Sequence, residues 1–247
     1  ERTGYDKVNL VPVSQGGSIA NALLEMYAEK DIPLSTDIDR IVYVVPALDG
    51  STLVGEVYEF GLLDDDYEVY CEMLPALLGE DNVVSYLINV ILRIMPNADL
   101  NNILDQAADT LIRDYTRYST LMWGLCPTEN YPGSREKYLT DDSTKIIVEE
   151  ADWFYKAQLN SDDNILAAID SGVDVFNIVD YNVPLFHIVD SWDDINADGI
   201  IQLDSTSMGA FSLGIDEKLP EDYVPTHSNC TDPEHHDHTD PYGLIDP

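Results

Sequence analysis

Residues 8–17 read Val-Asn-Leu-Val-Pro-Val-Ser-Gln-Gly-Gly, and this stretch decides the fold class. Residues 8–13 predict a short buried strand, because apolar and β-branched side chains dominate them. Residues 18–29 predict a helix, because their apolar side chains recur on one helical face: Ile19, Leu23, Met26 and Tyr27. The chain therefore begins with a strand-turn-helix unit that has Ser14 at the tip of the turn.

A serine in this position is typical of a nucleophile elbow, in which a sharp turn lifts the hydroxyl clear of a sheet. Gly16 and Gly17 let the helix start close to the strand, and the backbone N–H of Gln15 is the candidate oxyanion donor. The usual pattern is G-x-S-x-G, and Pro12 stands where its first small residue would be. The alternative is an ordinary β-turn-α unit in which Ser14 caps the helix.

A second apolar run, residues 39–46, predicts a parallel strand that is covered on both faces. The sequence Ala-Leu-Asp-Gly-Ser follows it at residues 47–51. Residues 8–27 and 40–51, in this order, resemble the lipase branch of the α/β-hydrolases, and more narrowly the lecithin–cholesterol acyltransferase-like lipases and esterases. The resemblance implies a parallel sheet, a Ser-His-Asp triad with Ser14 as the nucleophile, and a small-molecule or lipid ester as the substrate.

The middle of the chain, residues 56–180, predicts helices and is interpreted as a cap or lid inserted into the hydrolase core. The core is expected at residues 1–55 and 181–247, the latter with an acidic, histidine-rich end. The predicted helices cover residues 83–95, 100–115, 145–159 and 161–171. The apolar residues 83–95 and the irregular loop 121–127 either line an acyl pocket or form the core of the cap.

The triad acid is expected after a late strand, since hydrolases of this class place serine, acid and histidine in that chain order. Residues 183–189 predict a return to the sheet. Asp198-Gly199-Ile200-Ile201 matches the Asp-Gly sequence that carries the acid in the lipase branch, so the resemblance implies Asp198 first and Asp194 second. This carboxylate would orient the catalytic histidine without taking its proton.

The same loop has a second interpretation as a calcium site. Asp194, Asn196 and Asp198 are spaced as at the start of an EF-hand or dockerin-type loop. The twelfth position is Ser205, where such loops carry an acidic residue, and a strand-like run precedes the loop. Calcium at these three residues is the alternative to a site without any cofactor.

Of the three triad members, the basic histidine is the hardest to assign. The chain has five histidines. His187 precedes Asp198, which is the wrong chain order, so it is interpreted as a sheet histidine. His235 and His236 are the candidates within the chain, and a base beyond Pro247 is the alternative, because no amphipathic helix follows them. The sheet is correspondingly expected to be incomplete at both ends. The Glu-His-His-Asp-His run at residues 234–238 lacks the spacing of a built metal site.

Composition excludes several classes of partner. The 247 residues contain 47 Asp and Glu against 12 Lys and Arg, a net charge of -35, which repels nucleic acid and anionic membranes. The longest strongly apolar stretch, residues 83–95, is too short to span a bilayer. Cys71, Cys126 and Cys230 form no disulfide framework, and their redox state stays open.

The acidity fits an extracellular or cell-surface protein. It also supports two alternatives to an active enzyme: an acidic, calcium-binding or cell-surface module without catalysis, and a hydrolase that kept the fold and lost its activity. The oligomeric state stays open.

Overall fold

The computed structural model describes residues 4–59, 113–114, 116–185, 194–207, 214–215 and 217. These residues contain a three-stranded parallel sheet in the order β1-β2-β3, formed by β1 (Val8–Leu10), β2 (Ile38–Val44) and β3 (Asp174–Ile178). In the central strand, Ile41 lies opposite Leu10 on one side and Val175 on the other. The predicted mixed α/β fold with a parallel sheet is confirmed at this level.

Seven α-helices flank the strands in the described part of the chain. They are α1 (Gly16–Glu29), α2 (Thr52–Glu59), α3 (Thr120–Trp123), α4 (Tyr131–Tyr138), α5 (Lys145–Leu159), α6 (Ser161–Asp170) and α7 (Leu203–Thr206). Three 3₁₀ turns lie at Leu34–Thr36, Thr116–Tyr118 and Asp142–Thr144, and the short strands β4 (Val183–Pro184) and β5 (Asn196–Ala197) form an antiparallel pair.

Several predicted elements are confirmed, and others lie outside the described residues. The helices expected at residues 18–29, 145–159 and 161–171 are present as α1, α5 and α6. The helix expected at residues 83–95 and most of the one at 100–115 fall on residues that are not described. No helix among the described residues is long and apolar enough to cross a membrane.

The position of β3 shows that the prediction of helices throughout residues 56–180 is wrong at this point. β3 lies inside the segment predicted to be helical, because Gly172, at φ +99°, ends α6 and the buried Val173 and Val175 then pair the chain with β2. Of the strand predicted at residues 183–189, only residues 183–185 are described, and Val183–Pro184 is a strand there. Its expected return to the parallel sheet is wrong, because it pairs antiparallel with β5.

The prediction that the first strand is buried is also wrong. Residues 8–13 are predicted to be buried, yet Val8, Val11 and Val13 are 56%, 61% and 53% exposed. The physical reason is position, since β1 is an edge strand of the described sheet and pairs there with β2 alone. Apolar composition predicts a strand but does not reveal how many neighbours cover it.

The helices of residues 145–170 pack on the strand-turn-helix unit. α5 and α6 both contact α1. Ile165 and Ala168 of α6 share one hydrophobic core with Leu24 of α1, Ile41 of β2 and Val175 of β3. This part of the predicted cap therefore helps to cover the sheet.

A second core is largely aromatic. The rings of Tyr58 and Trp123 stack with centroids 4.4 Å apart, and Trp123 also meets Tyr131 edge-on at 5.8 Å. Trp123 and Cys126 are fully buried in this cluster. Residues 121–127 thus contribute Trp123 and Cys126 to a core, whereas Leu121 is exposed. The acyl pocket stays a prediction.

A buried carboxylate joins α1 to α5 and α6. Glu25 is almost completely buried, and its Oε1 pairs with Lys156 Nζ at 2.7 Å. Its Oε2 accepts hydrogen bonds from the side-chain amides of Asn160 (3.0 Å) and Asn164 (2.7 Å). Burial by itself raises the pKa of Glu25, but these hydrogen bonds outweigh it and hold the pKa below the ordinary value.

We expect Glu25→Ala to lower the free energy of unfolding by about 2 kcal/mol, because the amides of Asn160 and Asn164 lose their acceptor. Glu29→Ala removes the exposed partner of the same Lys156 and is the matched control, with an expected loss of about 0.5 kcal/mol. Urea unfolding at pH 7 measures both. Equal effects of the two substitutions would contradict the structural role of Glu25.

The contribution of Glu25 to the free energy of unfolding depends on pH, because the pKa of Glu25 is lowered in the folded protein. The contribution of Glu25 is fully present above the ordinary carboxyl pKa and is lost as the pH falls through the folded-state pKa. The stability difference between the native protein and Glu25→Ala should therefore shrink on acidification.

Candidate active site

The turn after β1 holds Ser14 in an unusual backbone conformation. Its φ is +53°, in the left-handed region that residues other than glycine rarely adopt. The Ser14 N–H donates to the Val44 carbonyl at 2.9 Å, and the Ser14 carbonyl accepts from Gly17 N–H (2.9 Å) and Ala47 N–H (3.0 Å). The hydrogen bonds with Val44 and Ala47 fasten the turn to the carboxyl end of β2, and the one from Gly17 closes the turn onto α1.

The start of α1 lies unusually close to the chain that leaves β2. A Cβ built on Gly17 would lie 2.7 Å from the Cβ of Pro46 and 3.0 Å from the backbone nitrogen of Ala47. Ser18 Oγ donates to the Ala47 carbonyl at 2.9 Å and adds a second attachment. Glycine at position 17 is therefore required by this contact, as the elbow interpretation expects.

Pro12 fits the turn although it departs from the usual pattern. Its carbonyl accepts from Val44 N–H at 2.9 Å, which continues the pairing with β2. A Cβ built on Gly16 would lie 3.5 Å from the Cβ of Pro12, an ordinary van der Waals distance. The proline ring therefore leaves enough space for the start of α1.

Ser14 does not cap α1, so the capping alternative is wrong. The N-cap residue is Gln15, and no side chain makes a cap hydrogen bond there. Ser14 is exposed, and its hydroxyl has no hydrogen-bond partner among the described residues. The hydroxyl is available to a substrate at the carboxyl edge of a parallel sheet, where ligands bind in open α/β folds.

Gln15 is fixed next to the serine. Its Nε2 donates to the Leu121 carbonyl at 2.8 Å, which ties the turn to the start of α3. Its backbone N–H has no acceptor within the described ranges. This N–H remains free to donate to an oxyanion, the role predicted for it.

Asp198 uses one carboxylate oxygen to build its own loop. Oδ1 accepts from the backbone N–H groups of Ile200 and Ile201, both at 2.8 Å, and Gly199 follows with φ +101°. Ser51, in the segment that follows β2, donates through Oγ to the Ile200 carbonyl at 2.8 Å. This hydrogen bond attaches the Asp198 loop to that segment. Ser14 and Asp198 make no direct hydrogen bond.

The predicted bases, His235 and His236, lie outside the described residues, as do the other three histidines, His187, His227 and His238. Asp194, the second choice for the acid, is exposed and lines a cavity of about 390 Å³ together with Asn196 and Asp204.

The predicted calcium ligands are only partly available. Asn196 Oδ1 accepts from the backbone of Asn182, Asn196 Nδ2 donates to the Gly214 carbonyl, and Asp198 Oδ1 is engaged within its loop. Among the described residues, no group of three or more His, Cys, Asp or Glu side chains is placed to hold a metal ion. Calcium at Asp194, Asn196 and Asp198 stays a prediction.

The sequence analysis did not identify Asp49 as a candidate site residue. Asp49, in the loop after β2, accepts a hydrogen bond on Oδ1 from Thr128 N–H at 3.0 Å and lines a cavity of about 320 Å³. Burial raises the pKa of Asp49, and the nearby charges of Asp204 and Glu129 raise it further. The sequence signal for it was a carboxylate in the loop that follows a predicted parallel strand.

The two glycines of the turn provide a matched pair of variants. We expect Gly17→Ala to lower the free energy of unfolding by about 1–3 kcal/mol, because its methyl group would overlap Pro46. Gly16→Ala should change it by less than about 1 kcal/mol, since its methyl group meets Pro12 at contact distance. Urea unfolding of both variants checks this, and equal effects would contradict the close contact at Gly17.

Comparison with protein-family models, with curated proteins and with solved structures finds no significant match to this chain. A function for the site must therefore be proposed from its residues and their geometry.

Proposed function

We propose that this protein is a serine hydrolase that cleaves carboxylic esters, with Ser14 as its nucleophile. The observation that carries the proposal is the left-handed backbone of Ser14 between a parallel strand and a helix. Such strain costs about 1–3 kcal/mol and is concentrated at functional sites. Glycine would adopt the same turn without this cost, whereas serine adds an exposed hydroxyl.

The chemistry follows the acyl-enzyme route. Ser14 Oγ attacks the ester carbonyl carbon while a histidine accepts the hydroxyl proton, and Gln15 N–H donates to the oxyanion. The carbon–oxygen bond to the leaving alcohol then breaks, and the alcohol takes the proton from the imidazolium. Water, deprotonated by the same histidine, hydrolyses the acyl-enzyme and restores Ser14. His235 and His236 are the candidate bases within the chain.

Asp198 is the proposed acid. Ser14 follows β1. Asn177 of β3 donates to the Thr206 carbonyl at 2.9 Å, which attaches the segment containing Asp198 to the same sheet. Oδ1 of Asp198 is engaged within its loop, so Oδ2 is the oxygen that would accept from an imidazole N–H. A carboxylate fixed in this way could hold the histidine tautomer.

The proposed substrate is an uncharged ester. The net charge of -35 disfavours anionic substrates and anionic membrane surfaces. The resemblance to acyltransferase-like lipases suggests a small-molecule or lipid ester, and the acidity suits a protein outside the cell or at its surface.

Two substitutions at Ser14 test the proposal in the full-length protein. We expect Ser14→Ala and Ser14→Gly each to lower kcat for p-nitrophenyl ester hydrolysis by about 10³-fold or more. Ser14→Gly should be at least as stable as the native protein, because glycine relieves the left-handed strain. A loss of activity in Ser14→Gly would therefore result from the missing hydroxyl and not from unfolding.

Ser119→Ala is the control, since Ser119 caps α3 without a side-chain hydrogen bond. Its kcat should stay within about twofold of the native value. Retained hydrolysis by Ser14→Gly would exclude Ser14 as the nucleophile.

A further inference from the structure

The buried hydroxyl of Ser51 contacts the loop that carries the proposed acid. Ser51 lies between β2 and α2 and is 2% exposed, and its Oγ donates to the Ile200 carbonyl at 2.8 Å. Its backbone N–H donates to the Leu125 carbonyl at 2.9 Å, and its carbonyl accepts from Val54 N–H at the same distance. The backbone of Ser51 is therefore fixed on both sides, and its side chain is directed at the Asp198 loop.

Ile200 connects this hydroxyl to the carboxylate of Asp198. The N–H of Ile200 donates to Asp198 Oδ1 at 2.8 Å, and its carbonyl accepts from Ser51 Oγ at the same distance. The side chain of Ile200 is 58% exposed, so its packing contributes little to holding the residue in place. The two hydrogen bonds therefore help to fix the orientation of Ile200, and through it the orientation of the Asp198 carboxylate.

The loop after β2 attaches to the segment around α7 at three further points. Thr52 N–H donates to Gln202 Oε1 at 3.0 Å. Asp49 N–H donates to Ser205 Oγ at 3.1 Å, and that hydroxyl donates to the Gly50 carbonyl at 2.8 Å. Gln202 and Ser205 are both buried, so these hydrogen bonds are shielded from water.

The β2 loop, defined as residues 47–52, also holds the nucleophile. Ala47 N–H donates to the Ser14 carbonyl at 3.0 Å, and Ser18 Oγ donates to the Ala47 carbonyl at 2.9 Å. One short loop thus contacts the Ser14 turn at its start and the Asp198 loop at its end. The relative position of the two proposed catalytic groups therefore depends on this loop.

We propose that Ser51 is a positioning residue for the carboxylate of Asp198, an inference that rests on the proposed hydrolase function. Oδ1 of Asp198 is engaged within its loop, so a rotation of the loop changes the direction in which Oδ2 meets an imidazole N–H. Small misplacements of a catalytic group lower the rate strongly. The hydroxyl of Ser51 opposes such a rotation by holding the Ile200 carbonyl.

Ser51→Ala in the full-length protein tests the proposal. The other hydrogen bonds of the β2 loop stay in place, so the substitution should release the Asp198 loop without unfolding the protein. We expect kcat for p-nitrophenyl ester hydrolysis to fall by about tenfold and KM to change by less than about twofold, because the buried hydroxyl does not meet the ester. Ser51→Cys keeps the side-chain volume and offers only a weak S–H donor, so it should lower kcat by a similar factor.

A double-mutant cycle with Asp198→Asn separates positioning from a general structural effect. Asp198→Asn alone should lower kcat by about 10²-fold or more. Ser51→Ala added to Asp198→Asn should lower kcat further by less than about twofold, because the charged acceptor that Ser51 orients is then absent. A structural role alone would give the same loss in both backgrounds.

Ser171→Ala is the matched control. Ser171 Oγ donates to the Ala168 carbonyl at 2.7 Å, so both variants lose a hydrogen bond from a hydroxyl to a backbone carbonyl. Ser171 precedes β3 and lies at the amino end of the parallel sheet, whereas Ser14 lies at its carboxyl end. The urea midpoint of Ser171→Ala should fall about as far as that of Ser51→Ala, but its kcat should stay within about twofold of the native value.

Two results would overturn the role of Ser51 while Ser14 stays the nucleophile. The first is a kcat of Ser51→Ala within about twofold of the native value when Ser14→Gly is inactive. The second is an equal loss from Ser51→Ala in the native and the Asp198→Asn proteins. Full hydrolysis by Ser14→Gly would instead exclude the proposed function, and the role of Ser51 with it.

Discussion

The close contact between the start of α1 and the chain leaving β2 is the constraint on which the proposed active site depends. The helix can approach Pro46 this closely only because Gly17 has no side chain. The approach brings Ala47 N–H within 3.0 Å of the Ser14 carbonyl, and that hydrogen bond helps to hold Ser14 in its left-handed conformation. The exposed hydroxyl is thus a consequence of backbone packing several residues away.

The strain extends along the same edge of the sheet. Val45, directly after β2, has a φ of +40°, which is unfavourable for a β-branched residue, and its N–H donates to the Ile178 carbonyl at 2.8 Å. Ser14 N–H bonds to β2 in the same region, so hydrogen bonds connect the carboxyl ends of all three parallel strands. An edge that is fastened in this way can keep a serine in place for chemistry.

The buried carboxylate of Glu25 and the partly buried carboxylate of Asp49 have different hydrogen-bond partners and opposite pKa shifts. Glu25 is surrounded by Lys156, Asn160 and Asn164, which lower its pKa and join three helices. Asp49 accepts from the backbone N–H of Thr128 at 3.0 Å, and burial raises its pKa above the ordinary value. The first arrangement is complete within the protein and serves stability. The second lines a cavity of about 320 Å³, where the charges of Asp204 and Glu129 raise its pKa further.

The sequence predicted the elements with strong local signals. The Ser14 turn, α1, β2 and α5 follow from apolar periodicity and from glycine placement. β3 was missed because Val175 is its only buried residue, which is a weaker signal than the apolar run at residues 183–189. The exposure of β1 depends on its neighbours in the sheet. The cavity at Asp49 could not be predicted because Thr128 and Gln158 are distant in sequence and meet Asp49 only in the folded chain.

The nucleophilic role of Ser14 is tested most directly by its reaction with a fluorophosphonate. Nucleophilic attack would displace fluoride and form a stable phosphonate ester on Ser14 Oγ, because the proposed base removes the hydroxyl proton. Tandem mass spectrometry of the labelled full-length protein should locate one adduct on the peptide that contains Ser14, and none after heat denaturation before labelling. An unmodified Ser14 in the native protein, or equal labelling of native and denatured protein, would contradict the account.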